Sequence, residues 1–271
     1  MKGNGILMTA VALGGAYVLS LQGRTGHKGL EQLRGWNYAH RGLHGNGRAE
    51  NSLSAFRAAV EHGYGAELDV HLLKDGNLAV IHDSDLKRVT GKEGRVEDLT
   101  TEDLKNYPLE GTEDTIPTFR EVLEIFAGNT PLIIELKAVN NVDALCSAAV
   151  KAMQGYEGIW CMESFDPRCV YWLKKHHPEI IRGQLAENSL RNPKAKLPVP
   201  LKVVLTNHLE NFLTKPDFVA YDYGTRKTTL SNDLCRKLWG LQGVSWTLRS
   251  PEEHEQALAE GWIPIFEHYE P

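Results

Sequence analysis

Short apolar runs alternate with amphipathic stretches along most of the chain. Eight of the runs read as strands: Tyr38-His40, Ala66-Val70, Leu132-Glu135, Gly158-Met162, Ile180-Leu185, Phe218-Tyr221, Gly243-Leu248 and Trp262-Phe266. Helix signals lie between them. Thr118-Phe119-Arg120-Glu121 reads as a capping box, with Gly128 as the stop, and Ser250-Pro251-Glu252-Glu253 reads as another, closed by Gly261. Ser52 is placed to cap a helix whose apolar face is Leu53, Phe56 and Val60. One connection breaks the alternation. Asp75-Gly76 between two apolar runs is a hairpin signal, so the returning arm should bring His82-Asp83 close to the end of the second strand. Eight strand and helix units predict an α/β protein of the (β/α)8 TIM-barrel class, with a doubly wound open sheet as the alternative. Val89 to Pro117 reads as a small insertion after the hairpin, with a short helix near Glu102-Tyr107.

The length of 271 residues suits such a barrel. The formal net charge of -5 shows no basic excess and argues against a nucleic-acid partner. Cys146, Cys161, Cys169 and Cys235 form no C-x-x-C pair and no zinc spacing, so free, mostly buried thiols are expected. From Ile6 to Leu21 the chain is uncharged and apolar. Residues 1–23 are therefore expected to be an N-terminal hydrophobic helix acting as a membrane anchor, with a cleaved signal or a buried helix as alternatives. Arg24, Lys28 and Arg34 outnumber Lys2 across this segment, which favours a cytoplasmic catalytic domain; an exported form is the other option. One domain is expected over residues 36–271.

Polar residues gather where the barrel hypothesis puts chemistry, at the C-terminal ends of strands and on the loops that follow. The first strand ends in His40-Arg41-Gly42, followed by Glu50-Asn51; the second carries Glu67-Leu68-Asp69; the third ends in Glu135-Leu136-Lys137. Glu67 and Asp69 share one side of a strand. Three converging carboxylates, Glu67, Asp69 and Glu135, repel one another unless a cation joins them, and such oxygen ligands suit Ca²⁺ or Mg²⁺. The competing reading pairs these acids with Arg41 and Lys137 as structural salt bridges. His40 and His82 have the chemistry of a general acid and base, and Arg41 and Lys137 that of an anion clamp. Metal, two histidines and two cations together suit phosphoryl chemistry.

Taken together, His40-Arg41-Gly42, Glu50-Asn51-Ser52, Glu67-Leu68-Asp69-Val70, Asp75-Gly76, His82-Asp83 and Glu135-Leu136-Lys137 resemble the glycerophosphodiester phosphodiesterase family. Ser164-Phe165-Asp166 and Trp246-Thr247 fit less sharply, and the resemblance covers roughly residues 36–271. It implies a TIM barrel and metal-dependent hydrolysis of a glycerophosphodiester to sn-glycerol 3-phosphate and an alcohol. By that analogy Glu67, Asp69 and Glu135 hold the ion, and His40 and His82 act as acid and base in an order left open. Arg41 and Lys137 contact phosphate, Glu50 belongs to the polar surroundings, and Trp246 faces the glycerol or packs in the barrel. The family's reaction runs through attack of the glycerol 2-hydroxyl on phosphorus and a cyclic phosphate that water opens. Two departures stand out: Ser52 replaces the usual Thr, and the last strand runs into Glu267-His268-Tyr269-Glu270-Pro271 instead of a Thr-Asp-like ending. Two rivals remain, a lysophospholipase D-like activity on lysophospholipids and a non-catalytic phosphate-ligand barrel. A glycosidase would not need the histidines. The oligomeric state is not readable.

Overall fold

The computed structural model describes residues 13–271. Nine strands form one sheet: β1 (Tyr38–His40), β2 (Gly65–Leu72), β3 (Leu78–Val80), β4 (Leu132–Leu136), β5 (Trp160–Ser164), β6 (Arg182–Ala186), β7 (Phe218–Asp222), β8 (Gln242–Leu248) and β9 (Trp262–Phe266). Eight of them are parallel, and β1 pairs with both β2 and β9, so the sheet closes into a barrel and the open-sheet alternative is excluded. The ninth, β3, is the predicted hairpin arm. It runs antiparallel to the far end of β2, with Val70 opposite Val80. Gly76 supplies the turn at φ 85°, a conformation open to glycine without strain.

The strands are almost wholly buried because helices cover the outside and side chains fill the inside. Alternation divides the two faces. Leu68, Ile134 and Met162 pack outward, with Phe56, Phe119 and Cys146 in the layer beneath the helices. Tyr38, Ile133, Cys161, Phe218, Val244 and Ile263 fill the lower barrel. A Cβ on Gly183 would lie 2.1 Å from the Phe218 ring, so the aromatic occupies the space this glycine leaves. Two residues further along the same inward rows the character changes: Ile133 gives way to Glu135, Cys161 to Glu163 and Val244 to Trp246.

The local signals hold. Ser52 Oγ accepts from Ala55 N at 3.1 Å, starting the helix Leu53–Glu61. Thr118 and Glu121 form the reciprocal box ahead of Phe119–Phe126. At Ser250 the box is shifted: Ser250 Oγ accepts from Glu253 N, but Glu253 accepts from Arg249 N at 2.7 Å. The insertion has its own small core of Leu86, Val89, Val96, Leu104, Leu109 and Ile116, with Leu104–Asn106 as the short helical turn. All four cysteines are free and buried.

Of the predicted N-terminal helix, residues 1–12 lie outside the described residues. Residues 13–20 are helical. Leu21 packs on Val219, Cys235 and Leu241, Trp239 Nε1 donates to Val18 O at 2.8 Å, and Arg24 Nε donates to Asp217 at 2.6 Å. These partners stand at the N-terminal ends of β7 and β8, the end of the barrel opposite its mouth. Among the described residues no helix is long and apolar enough to cross a membrane.

Candidate active site

The inward rows at the C-terminal ends of β2, β4 and β5 carry carboxylates in register. Asp69 pairs with Glu135 across β2 and β4, Glu135 with Glu163 across β4 and β5, and Glu67 sits beside His40 of β1. Oxygens of Glu67, Asp69 and Glu135 lie within 4.8 Å of one another, and all three residues are buried. Lys137 Nζ bridges two of them, 2.9 Å from Asp69 and 2.8 Å from Glu135. Arg41 Nε lies 3.5 Å from Asp69, and Asn51 Nδ2 donates to Asp69 at 2.8 Å. The salt-bridge reading therefore accounts for Asp69 and Glu135 only. Glu67 and Glu163 have no ion pair with Lys or Arg among the described residues; Glu67 accepts from the Arg41 backbone N at 3.2 Å, and Glu163 Oε2 has no partner.

The titration directions match this imbalance. Burial, reinforced by Asp69 and Glu135, pushes the Glu67 carboxyl well above its ordinary range, and burial with Glu135 does the same to Glu163. Burial also lifts Glu135, against the pull of Lys137. For Asp69 burial is outweighed by Lys137, His82 and Arg41, and its carboxyl falls well below the usual range. Asp69 and Glu135 hold Lys137 charged despite its burial. Three of the four buried carboxylates are thus pushed toward their neutral form, the mark of a cavity in which negative charge outweighs positive. The donors are all hard oxygens, so the three converging carboxylates fit a divalent cation of the Ca²⁺ or Mg²⁺ type.

Two histidines border the same space. His40 Nδ1 lies 2.6 Å from Glu267, which follows β9, and His40 Nε2 points toward Glu67 at 3.9 Å. His82 Nδ1 lies 2.6 Å from its neighbour Asp83. Each ring thus spends one nitrogen on a carboxylate and keeps the other without an intraprotein hydrogen bond among the described residues. Burial lowers the His40 pKa to about 4, although Glu267 opposes that shift. The hairpin delivers His82 as predicted: Ile81 N donates to Asp69 O at 3.0 Å. A further anchor carries no signal in the sequence. His71 binds the His82 carbonyl at 3.1 Å through Nε2 and Glu97 of the insertion at 2.8 Å through Nδ1, so the insertion core braces the loop that carries His82.

The cavity measures about 40 Å³ and is lined by His40, Arg41, Glu67, His82, Glu135 and Trp246, with Glu163, Phe165, Leu185 and Ile265 completing the wall. Six of the nine predicted site residues therefore meet there. Asp69 and Lys137 stand just behind, in contact with Glu135. Glu50 stands further back, held by Arg41 at 2.9 Å and Arg88 at 2.6 Å, and Arg88 also pairs with Asp83. Trp246 meets Phe165 edge to face at 5.5 Å and leaves its buried Nε1 without a hydrogen-bond partner among the described residues. No role for Glu163, Glu267, His71 or Glu97 follows from the sequence motifs. The alternation that placed Glu135 extends to Glu163 one strand later; nothing local marks the other three. Beside the cavity, and sharing Phe165 and Leu185 with it, runs an apolar groove of about 700 Å³ whose other walls include Ala186, Leu197, Leu201 and Leu205.

Comparison with known proteins gives a consistent picture. The model of the glycerophosphoryl diester phosphodiesterase family matches residues 40–269. A glycerophosphodiester phosphodiesterase of Bacillus altitudinis is 42% identical over 112 residues, 39% of this chain and 45% of its own. A lysophospholipase D of Homo sapiens is 38% identical over 117 residues, 38% of this chain and 37% of its own. The matched stretch is thus less than half the length of either relative. The structure of an Oleispira antarctica phosphodiesterase, solved with its product sn-glycerol 3-phosphate, shares the fold with a TM-score of 0.71 at 21% identity, covering 90% of this chain and 95% of that one.

Proposed function

Because the chain belongs to the glycerophosphoryl diester phosphodiesterase family, we propose that it hydrolyses glycerophosphodiesters to sn-glycerol 3-phosphate and an alcohol. The observation that carries this reading is the pair of carboxylate-oriented histidines, His40 with Glu267 and His82 with Asp83, facing one carboxylate-lined cavity. A phosphate-binding barrel without turnover would have no use for two oriented proton carriers. Glu67, Asp69 and Glu135 would hold a divalent cation, Ca²⁺ or Mg²⁺, which when bound withdraws charge from the phosphoryl oxygens.

The protein's own groups supply the rest. Arg41, which lines the cavity, and Lys137 behind it offset charge that grows on phosphorus-bound oxygen. His40 is kept neutral by burial and donates Nδ1–H to Glu267, so its Nε2 lone pair is free to take the proton of the glycerol 2-hydroxyl as that oxygen attacks phosphorus. His82, more exposed and held by Asp83, is the proton donor to the departing alkoxide. In the second half the roles reverse, and water opens the cyclic phosphate. Trp246 Nε1 is a ready donor to a glycerol or phosphate oxygen.

The test is release of sn-glycerol 3-phosphate from glycerophosphocholine by metal-stripped protein, with Ca²⁺ or Mg²⁺ added back. Metal-dependent release supports the proposal. No release with either ion, or full release after chelation, would sink it. The apolar groove favours a second reading, cleavage of the same bond in a lysophospholipid whose acyl chain lies along Leu197, Leu201 and Leu205. Turnover of deacylated diesters with none of lysolipid would exclude it.

A further inference from the structure

The loop after β6 and the first turn of the helix Val199–Thr206 differ from the rest of the surface. Leu190, Leu197, Val199, Leu201 and Val203 are all exposed, Val199 by 66%. Interleaved with them are Arg191, Lys194, Lys196 and Lys202, and no acidic residue occurs between Glu187 and Glu210. Cations elsewhere nearby find partners, Arg168 with Asp166 and Arg226 with Glu260; these four have none among the described residues. In a chain of net charge -5 this is a local cationic island. Its place is also particular. β6 ends at Ala186, so the loop emerges at the mouth of the barrel, and Leu197 and Leu201 reach from it into the apolar groove that shares Phe165 and Leu185 with the catalytic cavity.

Exposed apolar side chains with unpaired cations among them are what a protein presents to an anionic lipid surface. The apolar groups enter the headgroup and acyl boundary while the cations meet phosphate. We propose that residues 190–203 form an interfacial docking surface for an anionic bilayer, seating the mouth of the barrel against the membrane. Two observations select this occupant: the charge complementarity, and the continuity of the patch with a groove suited to a single acyl chain. A second copy of the same surface is disfavoured, since it would bring like charges together. Docking rests on the lysolipid reading only for its purpose, and it is measured without turnover. The N-terminal segment is tied to the opposite end of the barrel through Arg24 and Asp217, so an approach led by that segment would present the other face.

The experiment uses the full chain carrying a single added thiol labelled with an environment-sensitive fluorophore. The native cysteines are buried and leave that thiol as the reactive one. Val203→Cys reports on the patch, and Gln154→Cys, exposed in the turn that leads into the N-terminal end of β5, reports on the opposite end. With vesicles of phosphatidylcholine and phosphatidylglycerol, the label at 203 should shift to the blue and be quenched by spin-labelled lipid, while the label at 154 stays in water. Pure phosphatidylcholine should need at least tenfold more lipid for the same shift. Arg191→Glu with Lys194→Glu and Lys196→Glu should raise the anionic lipid required at least tenfold; these exposed side chains leave the core untouched. A label at 203 that stays in water on anionic vesicles overturns the proposal. So does shielding at 154 instead of 203, which would assign membrane approach to the N-terminal end. A blue shift at 203 that grows with protein concentration without lipid would assign the patch to self-association. Docking with no cleavage of lysolipid would leave this surface standing and remove the lysolipid reading alone.

Discussion

The two histidine–carboxylate pairs at the mouth are built in opposite ways. His82 and Asp83 are neighbours on a short loop, partly open to solvent, and any chain that makes the hairpin carries both. His40 and Glu267 are 227 residues apart and largely buried, and they meet only because β9 closes the barrel against β1. The local pair depends on support from beneath, through His71 and Glu97 of the insertion. The distant pair is braced by the barrel wall itself, with Arg249 and His44 also reaching Glu267. The same device, a carboxylate that fixes which imidazole nitrogen faces the site, is thus delivered once by sequence adjacency and once by topology.

Removing the rings is the coarsest way to break the comparison. His40→Ala and His82→Ala should each lower turnover of glycerophosphocholine by about 10²–10⁴-fold with the fold retained by circular dichroism. An aryl leaving group separates them. A glycerophosphoryl p-nitrophenyl ester needs no proton at its departing oxygen, so p-nitrophenol release, with the cyclic phosphate as product, should be rescued in His82→Ala and not in His40→Ala; the reverse would exchange the proposed roles. Changing the carboxylates sharpens the contrast. Glu267→Gln should reduce kcat by roughly 10–100-fold with little change in KM, as for groups that orient a functional ring. Asp83→Asn should cost less, since its side chain is more solvated than that of Glu267.

Smaller effects test the supports. Glu97→Gln leaves His71 without its charged partner, and it should lower kcat several-fold while leaving His40-dependent behaviour unchanged. The last contrast is thermodynamic. His40 is neutral and buried with a pKa of about 4, below the value of an unfolded histidine, so the unfolded chain binds the proton first as pH falls. Stability should therefore decline as pH falls from about 6.5 toward 4, by about 3 kcal/mol from this group. His40→Gln should flatten that slope in urea melts at a series of pH values.

Much of the site was legible before the structure because its parts sit at strand ends. The apolar runs marked the strands, alternation put Glu67 and Asp69 on one face, and Asp75-Gly76 required the chain to return His82 to β2. Glu50 was legible as part of the motif, but its place one link back, between Arg41 and Arg88, depends on the insertion's fold. Glu163 follows from the same alternation at the end of the next strand, but no motif assigns it a role. Glu267 was visible only as a departure from the family's usual ending. Its role could not be read, because which residue faces His40 depends on how the last strand registers against the first.

The sequence by itself determined what local physics can encode: strand and helix periods, caps, the hairpin and the inventory of carboxylates, histidines and cations. Those signals act within a few residues, where backbone preference and side-chain spacing suffice. The tertiary structure decided which acids stay short of positive charge, which carboxylate orients His40, and that two wall residues of the cavity, Phe165 and Leu185, also line an apolar groove. Each of these depends on distances between strands far apart in the chain and on how deeply burial strips water from them, and both are settled only when the barrel closes.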